Sequence, residues 1–465
     1  MAKNIVTTIN PSNGEKIKSY PIMSREKVNE LVKFARKSFA KWKKTDLYER
    51  NLLIQNLAKI LTKNKRSYAE IITLEMGKPL SQSLSEIEKC IWLCGYYSKN
   101  SELFLQDKLV STEYYKSIVS FEPLGLVAGI MPWNFPFWQV MRYAIPAIIA
   151  GNVTILKHSS VCLGSSLLIQ DLFKEAQFPE GVFQSVLGNY QVGEFLLQSD
   201  IDAISITGSV NTGKRVAEIA SQNLRKYVLE LGGSDPFIVL EDADLEQAAK
   251  IATKSRLLNT GQSCIAAKRF IVVKTIAKEF TDLFVENVKK EVLGDPMDIN
   301  TTIGPLVREN QLHSLENQII DAKNKKGKIL IGGKSLDSEG YFYEPTIVSK
   351  TNNQMDILRQ EVFGPAAPIL IVENEKKAVK EANNSEFGLG CSIWTNNLEK
   401  GLHLSRQIES GIVSVNEMVK SDPRMPFGGI KLSGVGRELS EFGIKEFVNI
   451  KSIIIEDLNK KLFVE

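Results

Sequence analysis

A chain of 465 residues, 43% hydrophobic and 24% charged, has the make-up of ordinary globular protein and divides into about three domain-sized units. That composition excludes disordered and collagen-like chains, and no run of about 18 uninterrupted apolar residues offers a membrane span. The net charge of +4 is nearly neutral for this length and makes no case for nucleic acid or an anionic membrane as partner.

In chain order, Asn10–Gly14 (NPSNG) reads as a turn between two short strands. Ser24 reads as the cap of a helix whose Val28, Leu31, Val32, Ala35 and Phe39 share one face. Further amphipathic runs cover Leu47–Leu61 and Glu86–Phe104, and residues 107–122 alternate as an aromatic-bearing hairpin. From Gly125 the pattern becomes strand, loop, helix. Strands are expected at Leu126–Ile130, Val153–Leu156, Ser185–Leu187, Ala203–Ile206, Tyr227–Leu229 and Pro236–Leu240, with helices at Leu163–Ala176 and Thr212–Ser221. A second series follows: Leu245–Leu258 and Ala277–Val292 helical; Phe270–Val273, Ile329–Ile331, Ala367–Ile371 and Cys391–Trp394 extended. Short apolar strands alternating with helices need crossover connections, hence parallel sheets. The expectation is an α/β protein of two layered units joined near Glu230–Gly233, with a hairpin protruding near residue 115. The basic run Lys323–Lys328 reads as a solvated helix end.

Five scattered cysteines (Cys90, Cys94, Cys162, Cys264 and Cys391) make no disulfide framework. Cys90 and Cys94 lie on one helix face and read as small core residues. Three separated histidines offer no multi-histidine metal site. The first residues lack the apolar core of a secretory signal, so the expectation is a reduced, cytoplasmic protein.

Four segments carry candidate chemistry. Asn259–Cys264 (NTGQSC) presents one thiol from a glycine-containing turn, and an exposed, electropositive setting would lower that thiol's pKa towards a reactive thiolate. Alone, such a cysteine is more often a buried filler. Glu230 ends an apolar strand in LELGG (229–233) and points to the carboxyl end of a sheet, where ligands of open α/β folds bind. Gly232 and Gly233 admit backbone conformations closed to other residues. Asn134 in PWNFP (132–136) can donate to a developing oxyanion, or be an ordinary turn asparagine. Thr207–Gly213 (TGSVNTG) is a strand-to-helix turn able to receive a phosphate, though without the full GxGxxG pattern.

Together with Lys157, Glu361–Pro365 (EVFGP) and Pro426–Gly429 (PFGG), these blocks stand in one order along the chain. The set resembles the aldehyde dehydrogenase superfamily over essentially the whole length. The resemblance implies a Rossmann-like cofactor domain from 1–106 and 124–231, a catalytic domain from 232–432, and a β element from 107–123 and 445–460 that joins subunits into a homodimer or homotetramer. It also implies that Cys264 attacks the aldehyde carbon, that Asn134 and the Cys264 N–H hold the oxyanion, and that Glu230 activates water against the resulting thioester. Glu361 and Phe363 match the pair that orients the nicotinamide ribose and ring. Trp133, Asn134, Gly208, Ser209 and Leu231 match the dinucleotide path.

Lys157, His158, Ser159 and Ser160 match the block that grips the adenosine ribose. NAD-preferring relatives often place a carboxylate at the Ser160 position, and a hydroxyl there does not repel a 2′-phosphate. NADP is therefore expected, with NAD tolerated. His158 replaces a commoner proline and receives no charged role. Within the family the chain most resembles the short bacterial succinate-semialdehyde dehydrogenases, which implies that Arg142 and Ser421 contact a distal carboxylate. Some members carry a further arginine where this chain has Leu258. With Gln262 and Ala266 flanking the nucleophile, a neighbouring redox cysteine is absent. Alternatives are oxidation of another small hydroxy- or carboxy-aldehyde, a CoA-acylating enzyme (against which Glu230 argues), and a catalytically idle relative (against which Cys264, Glu230 and Asn134 argue). No metal is expected.

Overall fold

A computed structural model describes residues 5–458. Two sheets carry most of the strands. The first has six, in the spatial order Gly434–Val435, Lys226–Glu230, Ala203–Thr207, Leu126–Met131, Val153–His158 and Phe183–Val186. All but the short Gly434–Val435 strand run parallel. The chain enters at Leu126–Met131, winds outward to Val153–His158 and Phe183–Val186, then crosses back to Ala203–Thr207 on the other side. That reversal leaves a crevice at the carboxyl ends of the strands, between Leu126–Met131 and Ala203–Thr207. Val153–His158 and Ala203–Thr207 are buried at every residue, as strands covered by helices on both faces must be.

The second sheet orders seven strands as Lys328–Ile331, Thr346–Ser349, Ala366–Val372, Ala267–Val273, Asp235–Val239, Gly390–Trp394 and Ile412–Val415. Only Lys328–Ile331 is antiparallel to its neighbour. The main chain passes from one sheet to the other between Glu230 and Asp235, so LELGG forms the seam. A third sheet pairs Val448–Ile455 along the length of Lys116–Pro123, with Lys108–Val110 on the other edge.

The expected elements are present, including the cap at Ser24, whose Oγ accepts from the Lys27 N–H. Cys90 and Cys94 are fully buried core residues of Leu80–Leu105. Several elements were not foreseen, among them the helices Tyr190–Leu197, Glu375–Asn383 and Leu398–Ser405 and the strand Ile412–Val415; three others show why. Lys65–Met76 is helical directly after Leu47–Lys63, with Asn64 ending one helix and starting the next, so no breaker separates them. Glu309–Asn324 buries only Leu315, Gln318, Ile319 and Ala322, too sparse an apolar stripe to stand out. Thr346–Ser349 is a short strand of the second sheet. The expected 445–460 element begins with the end of helix Ser440–Lys445 and continues as Val448–Ile455; residues 459 and 460 lie outside the described residues. Among the described residues no helix is long and apolar enough to cross a membrane.

Candidate active site

The strand ends of the first sheet build one wall of a crevice of about 820 Å³, within the roughly 300–1,000 Å³ of small-molecule sites. Met131 leads to Trp133 and Asn134; His158 to Ser159 and Ser160; Thr207 to Gly208 and Ser209; and Glu230 to Leu231. Each of these residues except Met131, Thr207 and Glu230 was singled out from the sequence as cofactor-binding, and those singled out line the crevice together with Lys157. Cys264, Glu361 and Phe363 of the second unit line the facing wall. Trp133 and Phe363 meet edge to face across it, ring centroids 5.7 Å apart.

Helix Val210–Gln222 points its N-terminus at this space, capped by Ser209, whose Oγ accepts from the Thr212 N–H. A helix start of that kind suits a pyrophosphate. Lys157 is buried and donates to the His158 carbonyl at 2.7 Å. Burial alone holds its ammonium down to about 8, and an incoming anion would offset that cost. The ring of His158 turns away into the fold. Its Nδ1 accepts from the Ser159 N–H, so Nε2 donates to the Pro136 carbonyl, and burial pushes its pKa down to about 4. It is neutral and braces the loop. The volume, the helix start, the unpaired lysine and the hydroxyls of Ser159 and Ser160 together fit a dinucleotide.

Cys264 is presented by a strained loop. Asn259 and Thr260 adopt left-handed backbone (φ 54° and 56°), which Asn tolerates and a β-branched Thr does not readily adopt. Fixed hydrogen bonds hold them there. Thr260 Oγ1 donates to the Gly304 carbonyl and accepts from its N–H, each at 3.1 Å. Asn259 Nδ2 donates to the Asn134 carbonyl at 2.8 Å, and Gln262 Oε1 accepts from the Val307 N–H at 2.9 Å. Asn134 lies against the same loop: its Nδ2 donates to the Gln262 carbonyl at 3.0 Å and its Oδ1 accepts from Gln139 at 3.0 Å. One amide hydrogen of Asn134 is thus engaged, and the other is left for a ligand in the crevice. Three residues beyond Glu230, a Cβ on Gly233 would stand 2.7 Å from the Cys264 carbonyl oxygen. Close approach is what that glycine provides; neither Gly232 nor Gly233 has left-handed backbone, contrary to the reading from sequence.

Three expectations are corrected. The Cys264 thiol is pushed up to about 12, because burial outweighs the favourable charges of Arg142 and Lys268, with Glu361 and Glu230 opposing ionisation. The setting raises, rather than lowers, the pKa of the resting thiol. Glu230 does not line the crevice: its carboxyl is buried, with Oε1 unpartnered and about where a Cβ on Gly428 would sit, 2.6 Å away. Burial and the adjacent Glu438 carboxyl push its pKa well up, against the pull of Arg142 and Arg437. Arg142 and Ser421 also lie outside the crevice. Arg142 is buried and ion-paired with Glu438, donates to Thr207 Oγ1 at 3.3 Å, and stacks over Phe427. Its charge is therefore already matched, because a helix-borne arginine in apolar surroundings finds its counter-ion in the fold. Ser421 accepts from Lys89 at 2.6 Å.

Several residues that build the site were not singled out. Lys268, fully buried, donates to the carbonyls of Ser263 and Cys264 at 2.8 and 2.6 Å and stands 3.6 Å from Glu361. Glu361 in turn accepts from the Gly233 N–H at 3.0 Å. The signal was a Lys-Arg pair heading an apolar strand. Glu86, ion-paired with the buried Lys78, accepts from the N–H groups of Phe137 and Trp138 at 2.9 and 3.0 Å. It anchors the start of Trp138–Ile149, which fixes the Asn134 loop. Its signal was a carboxylate on the face shared with Ile87 and Cys90.

A model described as the Aldehyde dehydrogenase family matches residues 1–453. A protein of Synechocystis named probable succinate-semialdehyde dehydrogenase [NADP(+)] is 43% identical over 97% of this chain and 99% of its own. One of Escherichia coli K12 named succinate semialdehyde dehydrogenase [NAD(P)+] is 39% identical over 96% and 97%. A crystal structure of succinic semialdehyde dehydrogenase from Streptococcus pyogenes with NADP+ superposes with a TM-score of 0.95 at 35% identity, covering 97% of this chain and all of that one.

Proposed function

The chain belongs to the aldehyde dehydrogenase family, and on that premise we propose that it oxidises succinate semialdehyde to succinate, with NADP preferred over NAD. Relatives that carry this activity in their names cover almost the whole chain at 39–43% identity, which supports the substrate. The observation that carries the reaction is the meeting of Cys264 with the Asn134 amide at one crevice, beside a dinucleotide-shaped wall.

In the mechanism, Cys264 loses its thiol proton to water in the crevice and Sγ, as thiolate, adds to the aldehyde carbon. The second Asn134 N–H and the Cys264 backbone N–H hold the oxygen as it becomes negative, an electrostatic task for preorganised donors. Lys268, gripping the Ser263 and Cys264 carbonyls, fixes the loop that carries the sulfur. The bound dinucleotide supplies a hydride acceptor; Lys157, Ser159, Ser160, Gly208, Ser209 and Leu231 are the residues that would hold it, with Trp133, Glu361 and Phe363 at its reactive end. The Cys264 thioester is then hydrolysed by water that loses its proton to Glu230. A raised carboxyl pKa suits a general base, and Gly428 leaves it room to turn.

Two features support a homodimer or homotetramer built through the third sheet. Its edge strand Lys108–Val110 is exposed at every residue, and Leu109, Ile450 and Ile454 stand more than half exposed on it. Five free cysteines suit a reducing compartment such as the cytoplasm. The test is an aldehyde panel measured with NADP and with NAD. Succinate semialdehyde with NADP should give the highest kcat/KM, and a better uncharged aldehyde would overturn the substrate reading.

A further inference from the structure

We propose that Lys268 strengthens the oxyanion hole by polarising the amide whose N–H is one of its donors. The inference rests on the mechanism above, in which Cys264 is the nucleophile and its backbone N–H holds the oxyanion. The Cys264 N–H and the Ser263 carbonyl are the two ends of one peptide group. Lys268 Nζ donates to that carbonyl at 2.8 Å and to the Cys264 carbonyl at 2.6 Å. A cation hydrogen-bonded to the oxygen of an amide draws electron density towards it and leaves the N–H a stronger donor. Lys268 thus acts through the Cys264 amide, as a positioning residue.

The fold aims the ammonium at this peptide. Where Asp235–Val239 pairs with Ala267–Val273, Asp235 stands opposite Ala267 and Pro236 opposite Arg269, so Lys268 is the extra residue of a bulge. A bulge re-aims the side chain it carries, and Pro236 brings no N–H to the ladder there. The Lys268 side chain is fully buried. Its counter-charge on Glu361 stands 3.6 Å away, too far for a hydrogen bond, so the donors of the ammonium go to carbonyls. The third of these carbonyls, that of Ala266, lies at 3.4 Å. Out of water the charge acts on the neighbouring amide far more strongly than it would at the surface. The ammonium is costly to bury, and burial presses its pKa down against the pull of Glu361 and Asp235. A neutral donor could bond the same carbonyl without that cost, but it could not polarise it as well.

The experiment needs no dinucleotide and compares two reactions of the Cys264 thiolate in the full-length chain. With p-nitrophenyl acetate, sulfur adds to the acetyl carbon, the carbonyl oxygen becomes negative, and p-nitrophenolate leaves with the electron pair of the broken C–O bond. With iodoacetamide, sulfur displaces iodide from a methylene carbon and no oxyanion forms. Both reactions need the thiolate, so the ratio of first-turnover p-nitrophenolate release to Cys264 alkylation reports the oxyanion hole. Lys268→Met should lower that ratio about tenfold, short of the roughly 10²–10³-fold loss on deleting an oxyanion donor, because the N–H remains and only its polarisation goes. Lys268→Arg should recover most of the ratio. Lys268→Gln, which still donates but carries no charge, should lower it severalfold and serves if Lys268→Met is unstable. Equal slowing of both reactions, the mark of a displaced loop, or an unchanged ratio overturns the role of Lys268. Release of p-nitrophenolate by Cys264→Ala at the wild-type rate overturns the nucleophile reading instead, so the two failures are distinct.

Discussion

Replacing Ser160 by Glu tests the electrostatics of the cofactor wall. Ser160 lines the crevice beside Lys157, whose ammonium is buried and whose pKa burial brings to about 8. A 2′-phosphate carries about −1.5 to −2 charges near neutrality. A new carboxylate about 5 Å from it, at an effective dielectric of about 20, gives about 3 kcal/mol of repulsion per unit charge. Opening to solvent on one side reduces this to about 2–3 kcal/mol in all, or about 30- to 150-fold in affinity. Ser160→Glu should therefore raise the KM for NADP by that factor while leaving or lowering the KM for NAD, because a carboxylate can accept from free ribose hydroxyls. The assay is steady-state kcat/KM for both cofactors at saturating aldehyde. The sign with pH follows from Lys157: its folded pKa is depressed, so the ammonium is lost as pH rises through about 8, and the KM for NADP should climb above that pH more steeply than the KM for NAD. A wild type that uses NAD more efficiently, or an unmoved NADP to NAD ratio in Ser160→Glu, would refute the reasoning.

Glu230→Gln should leave a rapid first turnover of NADPH, one per active site, and abolish steady turnover, seen by stopped-flow absorbance; undiminished steady turnover would remove Glu230 from hydrolysis. Arg142→Met should cost about 3–5 kcal/mol of stability in denaturant unfolding, because it strands Glu438 inside the fold, and adding Glu438→Leu should restore most of it. A loss below about 1 kcal/mol would mean that the pair is solvated. Alkylation of Cys264 by iodoacetamide without cofactor should accelerate about tenfold per pH unit from 7 to 9, since only thiolate reacts and the thiol pKa is raised to about 12. A plateau below pH 9 would contradict that shift.

Much of the fold was legible because parallel strands are short, apolar and spaced by helices, and periodicity reports that directly. Elements that pack weakly or abut without a breaker were not: Lys65–Met76 continues from Asn64 with no glycine or proline between, and Glu309–Asn324 shows too few buried positions. The crevice was legible for a related reason. Its residues follow strand ends, so Trp133, Ser159, Gly208 and Leu231 are marked by where the apolar runs stop.

Charge pairing across the chain was not legible, and it decides the roles of the buried ionic groups. Arg142 and Glu438 are far apart in sequence, and nothing local to either shows that they neutralise each other. The same holds for Lys268 with Glu361, where only the folded arrangement reveals whether a cation is satisfied. A buried cation with a bound counter-ion is structural framework, whereas one without is a place where an anion gains on arrival. Arg142, to which the family resemblance gives a substrate contact, carries such a counter-ion in Glu438. Lys157, which lines the crevice and has no carboxylate partner among the described residues, is such a place, facing the dinucleotide's anionic groups.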